Sequence, residues 1–358
     1  MATRYSHRDA FELNDTRVLA GTREVISIAV PDLFVHADLS IPVHVVHGKK
    51  DGPTLFLSGA VHGDEIIGVE IIRRVLSARR IGRISGTLIA VPIVNIFGFL
   101  NQSRYLPDRR DLNRSFPGSE RGSIAARLAK TFTDHIMSQC THGIDLHTAA
   151  INRENLPQIR AALTDNSDVE DMARAFGLPV VVNSDTIEGS LRHTAHELGI
   201  KTIVYEAGEA LRFDETAIRG GVNGILRVME SIGMLRARKR AASAKSRLKP
   251  PTIASSSRWV RAPQSGIHRS IAPLGARVSS GETLGYIADP LGENESPVTA
   301  SMGGVIIGRS NIPLVTEGEA LFHIASFEAP HGQVAKQIDL VEEVLESVAT
   351  EIDEPPIV

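Results

Sequence analysis

The sequence predicts an α/β domain, a sheet with covering helices, followed by a small all-β domain. Two observations carry this division. From residue 54 onward, short β-rich apolar runs alternate with longer stretches whose apolar residues recur at helical spacing, the order of an α/β sheet. After Trp259 that spacing stops, and short apolar runs punctuated by glycine follow from Gly266 to Gly318. A length of 358 residues accommodates two such domains, and 42% hydrophobic with 23% charged residues is the balance of a chain that packs a core.

Taken in order, residues 54–58, 87–94, 143–146, 180–182 and 202–205 read as strands. Between them, residues 65–80 place Ile66, Val69, Ile72, Val75 and Leu76 on one helical face, and residues 124–137 and 215–232 show similar faces. Residues 105–118 hold Pro107, Pro117 and several charges without periodicity, which predicts a long functional loop. The stretch from Arg236 is basic, then rich in Ser and Pro. The expected organisation is a catalytic domain over 1–245, a linker over 246–258, a β domain over 259–330 and an acidic tail over 331–358 that can form one amphipathic helix.

Composition narrows the function classes. A net charge of −3 carries no signature of nucleic acid or of an anionic membrane, so a small-molecule or peptide substrate is expected. The basic run at 236–240 reads as a solvated helix end. Cys140 stands alone, which excludes an intrachain disulfide and points to a reducing compartment. No apolar run of transmembrane length is present, and the first residues lack the apolar core of a signal peptide. The expected location is the cytoplasm.

Chemistry-bearing residues gather where apolar strands run out. His62 and Glu65, three apart in His62-Gly63-Asp64-Glu65, follow the strand at 54–58, and such strand ends are where α/β sheets bind ligands. Imidazole nitrogen and carboxylate oxygen both suit Zn²⁺, although this spacing alone is common. His147, in Gly143-Ile144-Asp145-Leu146-His147-Thr148, is the third candidate ligand. Two His and one Glu with an open fourth position is a catalytic rather than a structural zinc set. Asp145 is either an acceptor that orients the site or a solvated strand-end carboxylate, and Asp64 reads as a helix-start residue. Glu206 ends the apolar strand at 202–205. There it is either a general base near an activated water or a surface carboxylate beside a turn. Arg104, Arg109, Arg110 and Arg114 crowd the loop with Asp111 and Asn113, and their guanidinium forks suit carboxylates and oxyanions. His193, His196, His268 and His323 read as ordinary histidines.

Together these segments resemble the succinylglutamate desuccinylase/aspartoacylase family, relatives of the zinc carboxypeptidases. The resemblance rests on Gly59-Ala60-Val61-His62-Gly63-Asp64-Glu65, Asp111-Leu112-Asn113-Arg114-Ser115-Phe116-Pro117-Gly118, Asp145-Leu146-His147-Thr148 and Glu206-Ala207-Gly208, in that order. It implies a zinc-carboxypeptidase-like mixed sheet flanked by helices and one Zn²⁺ per chain held by His62, Glu65 and His147. It also implies Glu206 as general base and acid, Arg104 polarising the scissile carbonyl, and Asn113 with Arg114 binding a substrate carboxylate. One departure is Asn95-Ile96, where the family commonly has Asn-Pro. The C-terminal region resembles the barrel-like biotinyl and lipoyl carrier domains through residues 262–266 and 300–305. It has no lysine to acylate between Lys249 and Lys336, which leaves a wall over the active site or a homo-oligomer contact as its expected role.

The expected activity is hydrolysis of the amide bond of an N-acyl amino acid or a related small acylated amine by a zinc-activated water. A metallocarboxypeptidase acting on short peptides and a non-catalytic binding protein are the rivals, separated by substrate assays and by metal analysis respectively.

Overall fold

A computed structural model describes residues 8–30, 38–163, 167–238 and 250–347. A short hairpin, β1 (Phe11–Leu13) and β2 (Thr16–Val18), precedes two long antiparallel strands, β3 (Thr22–Ala29) and β4 (Ser40–His47). In β4, Ile41, Val43 and Val45 are buried at every second position, the strand period that turns one face to the core. Three parallel strands follow: β5 (Lys50–Ser58), β6 (Ser85–Val91) and β7 (His142–Ala149). Helix α1 (Ile67–Ser77) connects the first two, while α2 (Ile96–Leu100) and α3 (Ile124–His135) lie in the long connection to β7.

The chain continues through β8 (Arg153–Ala161), α4 (Ser167–Phe176), β9 (Val180–Asn183), α5 (Leu191–Glu197), β10 (Lys201–Glu209) and α6 (Glu215–Ser231). Strand β10 runs parallel to β7 on one side and antiparallel to β8 on the other, so the sheet is mixed. Local sequence sets the helix starts. Ser123 accepts from Ala126 N, Asp214 from Ala217 N and Ser190 from His193 N, each satisfying an amide that has no partner within its helix.

Helices cover both faces of the sheet. On one face α1, α4 and α6 bury Ile71, Phe176 and Ile225 against Tyr205 and Leu146. On the other, Phe56, Phe116 and Phe132 meet edge to face. Leu112 and Phe116 anchor the predicted loop in this second core. Burial of each side chain is worth about 1.5 to 3 kcal/mol. Two such anchors hold Asn113 and Arg114 between them in place.

The C-terminal part begins with β11 (Thr252–Arg261). It adds β12 (Gly266–Ser270), β13 (Arg277–Val278), β14 (Thr283–Ala288), β15 (Ser296–Thr299), β16 (Gly304–Ser310), β17 (Leu314–Val315), β18 (Ala320–Phe327) and helix α7 (His331–Ser347). Strands β12, β14, β15 and β17 form a separate four-stranded sheet, and its residues pack with β16 and β18 around Leu284, Ile287, Leu321 and Phe322 in a barrel-like unit.

Residues 246–258 differ from the expected linker. Thr252–Ala254 pair in parallel with Val180–Val182, and Ala254–Arg261 pair with β18. The Ser-rich run is a strand because its backbone ladder with β18, continuing from the residues paired with β9, rather than apolar side chains, holds it. Through β11 a single sheet of twelve strands crosses both parts, in the order β13, β16, β18, β11, β9, β8, β10, β7, β5, β6, β4, β3. Residues 246–249 of the linker, 239–240 of the basic run and 348–358 of the tail lie outside the described residues. No helix among the described residues is long and apolar enough to cross a membrane.

Candidate metal centre

Parallel pairing lines up the carboxyl ends of β5, β7 and β10. Ser58 is opposite Asp145, and His147 is opposite Glu206. Beyond Ser58 the chain turns sharply, with Ala60 in the left-handed region at φ 47°. This backbone conformation is rare for a residue with a Cβ, and it is held where Asn95 N donates to Ala60 O. Gly63 is required by close approach, since a Cβ there would stand 2.0 Å from the backbone carbon of Gly98. The turn therefore delivers His62 and Glu65 to the same point as His147. Asn95 caps α2 by accepting from Gly98 N, and Ile96, where the family that the motifs resemble commonly has proline, opens that helix.

His62, Glu65 and His147 are buried, and one ligand atom from each lies within 4.8 Å of the others. Nδ1 of His62 is 2.7 Å from Glu65 Oε1, and Nδ1 of His147 is 2.7 Å from Glu65 Oε2. The outer nitrogens meet carboxylates: His62 Nε2 is 3.2 Å from Asp111 Oδ1 and His147 Nε2 is 2.7 Å from Asp145 Oδ2. A carboxylate on the outer nitrogen fixes the proton there and leaves the Nδ1 lone pair facing inward. In neutral imidazoles those lone pairs would confront the oxygens of Glu65, so the centre calls for positive charge between them.

The electrostatics agree. Burial opposes a charged His147, yet Asp145 and Glu65 raise its pKa well above the ordinary value. His62 is likewise raised, burial being overcome by Glu65 and Asp111. Burial would push the Glu65 carboxyl up, but the two imidazoles hold it well below the usual carboxylate range. Two nitrogens and a carboxylate, each supported from behind, fit a divalent ion such as Zn²⁺. Asp145 is buried and accepts from Ser58 Oγ at 2.7 Å, so it is not a solvated strand-end carboxylate.

The centre forms the floor of a cleft of about 270 Å³. Arg104 lies beside it, donating from Nη2 to Asp111 Oδ2 at 2.9 Å, with Nη1 3.3 Å from Glu65 Oε1 and 3.2 Å from His62 Nδ1. Burial disfavours its charge, but Glu65 and Asp111 raise its pKa further. Glu206 lines the cleft, accepting from Asn155 Nδ2 at 2.8 Å. Asn113 and Arg114 line it too. Asn113 Oδ1 accepts from Leu191 N, which ties the loop to the start of α5. His193, His196, His268 and His323 do not join the cluster.

The sequence reading missed several residues of the cleft: Arg153, Asn155 and Arg160 on β8, Arg192 on α5 and Trp259 on β11. Arg192 donates to Ser184 Oγ and Asp185 O, both uncharged acceptors, and burial followed by Arg160 lowers its pKa. A sequence signal existed only for Arg192, which follows the helix-capping Ser190. The others reach the site through strand pairing that no local pattern announces.

A family model described as the succinylglutamate desuccinylase/aspartoacylase catalytic domain matches residues 51–232, just over half of the chain. Among curated proteins, an N-alpha-acetyl-L-2,4-diaminobutyric acid deacetylase of Halomonas elongata is 32% identical over 147 residues, covering 40% of this chain and 43% of that relative's length. Among solved structures, a succinylglutamate desuccinylase/aspartoacylase of Rhodobacter sphaeroides has a TM-score of 0.75 at 25% identity, covering 85% of this chain and 96% of its own. The product-bound ectoine utilization protein of Ruegeria pomeroyi has a TM-score of 0.75 at 22% identity, covering 85% of this chain and 95% of its own, a likeness of fold.

Proposed function

The chain belongs to the succinylglutamate desuccinylase/aspartoacylase family, and from that premise we propose that it is a zinc-dependent hydrolase of the amide bond in an N-acyl amino acid. The observation that carries the reading is the convergence of His62 Nδ1, His147 Nδ1 and the Glu65 carboxylate at the floor of a cleft that also holds Glu206. Zn²⁺ bound by these three residues would supply Lewis acidity, polarising the acyl carbonyl and acidifying water.

Each remaining step belongs to the side chains. Glu206 takes the proton of the attacking water and returns it to the leaving amine, work worth about 10² to 10⁴ in rate. Arg104, held by Asp111, offers guanidinium protons to the oxyanion that develops at the carbonyl. Arg114, Arg153, Arg160 and Arg192 make the cleft cationic, which favours a substrate bearing a carboxylate, and Asn113 with Arg114 is the proposed contact for it. The name of the Halomonas elongata relative supports testing acetyl groups first.

The test is amine release from a panel of N-acetyl and N-succinyl amino acids, with short peptides beside them, using the zinc-loaded full chain. Hydrolysis of N-acyl amino acids in preference to peptides is expected. Glu206→Ala should keep its zinc and lose nearly all activity. Full activity in that variant, or cleavage of peptides alone, would overturn the reading.

A further inference from the structure

The carboxylate of Glu206 is aimed from a neighbouring strand. Asn155 on β8 is buried and donates from Nδ2 to Glu206 Oε2 at 2.8 Å. The other carboxylate oxygen faces Arg160 Nε at 3.6 Å, an ion pair too long to be a hydrogen bond. Among the described residues, the amide is therefore the hydrogen-bonding group that orients Glu206.

The strand carrying Glu206 is irregular at this point. Pairing of β10 with β7 shifts between Glu206, opposite His147, and Glu209, opposite Ala149, so that Ala207 and Gly208 of β10 together oppose Thr148, and pairing with β8 shifts between Glu206, opposite Gln158, and Gly208, opposite Asn155. Gly208 has φ 69°, the left-handed conformation that glycine adopts freely. A bulge of this kind re-aims a side chain and leaves the ladder locally weakened, so the re-aimed carboxylate needs a second support.

Asn155 is itself fitted against the small β domain. It is the ladder partner of Gly308 on β16. A Cβ at Gly308 would stand 2.9 Å from Asn155 Oδ1, too close for the amide to keep its place, and 3.4 Å from His323 Cβ, a near-ordinary contact. Glycine inside a strand weakens it and marks such an approach. Here the missing Cβ leaves the amide oxygen space on the β16 side while its nitrogen points to Glu206.

We infer that Asn155 is the positioning residue of Glu206 and that Gly308 keeps Asn155 in register for that task. The small β domain thus sets the geometry of the base in the neighbouring domain. The inference rests on the reading of Glu206 as general base, and its test separates the two.

Asn155→Asp preserves shape and packing but replaces the donor with an acceptor. In the zinc-loaded full chain, with Nα-acetyl amino acids as probes, kcat should fall about 10²-fold, the effect of misplacing a reacting group by an ångström, while KM stays nearly constant. Gly308→Ala should lower kcat when Asn155 is present and have no further effect in Asn155→Ala, a coupling that independent structural damage does not produce. A crystal structure of zinc-loaded Asn155→Asp should show the Glu206 carboxylate turned away. If Asn155→Asp does not fold, Gly308→Ala carries the same kinetic and crystallographic comparison. Wild-type kcat in Asn155→Asp beside an inactive Glu206→Gln would overturn the positioning role and leave the base intact. Wild-type kcat in Glu206→Gln, or no hydrolysis by the wild-type chain, would overturn the reading beneath it.

Discussion

His147 and Asp145, two residues apart on one strand face, meet side chain to side chain at 2.7 Å in the interior of the protein. Asp145 thereby fixes which imidazole nitrogen is free to face Glu65. Asp145→Asn keeps the shape but removes the charge that orients the ring, and zinc affinity should drop about 10- to 100-fold. Competition with a chromophoric chelator measures this directly. An unchanged zinc affinity would show that Asp145 does not orient the ring.

Arg104 spans two carboxylates with its two terminal nitrogens, Asp111 on one and Glu65 on the other. A lysine keeps the charge but has one nitrogen and no fork. Arg104→Lys is expected to lose about 10² to 10³ in kcat, the loss typical of a missing oxyanion donor. Steady-state kinetics on an N-acyl amino acid decide it, and a kcat near wild type would remove Arg104 from transition-state stabilisation.

The ring of His323 stacks on Trp259 with centroids 4.7 Å apart, and its buried Nδ1 has no hydrogen-bond partner among the described residues. Burial, followed by the nearby Arg160, pushes its pKa down to about 4 from the ordinary 6.5. Between these values the unfolded chain takes up a proton that the folded chain refuses. The contribution is therefore fully present above pH 6.5 and declines as pH falls toward 4. At pH 5 the loss should be about 2 kcal/mol relative to neutral pH. Urea unfolding at both values measures it, and in His323→Phe the pH dependence should shrink by that amount. An equal slope in both proteins would refute the assignment.

Arg74 of α1 joins Glu70 on its own helix to Glu215 at the start of α6, with both Glu215 oxygens at 2.9 Å. Its side chain is 3% exposed, so Arg74→Met would leave two largely buried carboxylates without this partner. Arg73 still donates to Glu70 and Arg219 to Glu215, and both carboxylates are partly exposed, so the expected loss is about 1.5 to 3 kcal/mol, that of charge-assisted hydrogen bonds rather than of an uncompensated buried charge. Thermal or urea unfolding reports the loss. Activity per folded molecule should be unchanged, because Arg74 does not line the cleft.

The metal cluster was legible because its residues sit in short motifs at strand ends, where an apolar run stops at a polar side chain. Strand β8 was not, because Pro157 and its polar neighbours argue against an interior strand. The strand accommodates that proline at the bulge, where Leu156 and Pro157 together oppose Ala207. Asn155 and Arg160 went unread for the same reason, since their meaning comes from β10 and β16, far away in sequence. Strand β11 was hidden by Ser255-Ser256-Ser257, which reads as linker in composition. The alternation in β3 and β4 does carry a signal, ahead of the strand–helix alternation that begins at residue 54.

The pairing of Thr252–Ala254 with Val180–Val182 bears on how such a protein can be divided. A catalytic piece ending before residue 250 would leave β9 with one side of its backbone unpaired, and β8 would lose its contacts at Arg153–Asn155. Raw strand edges recruit other chains. Modularity in this chain therefore stops short of the sheet. An exchange of C-terminal modules between relatives has to transplant the seam, from Thr252 and from β16, along with the module.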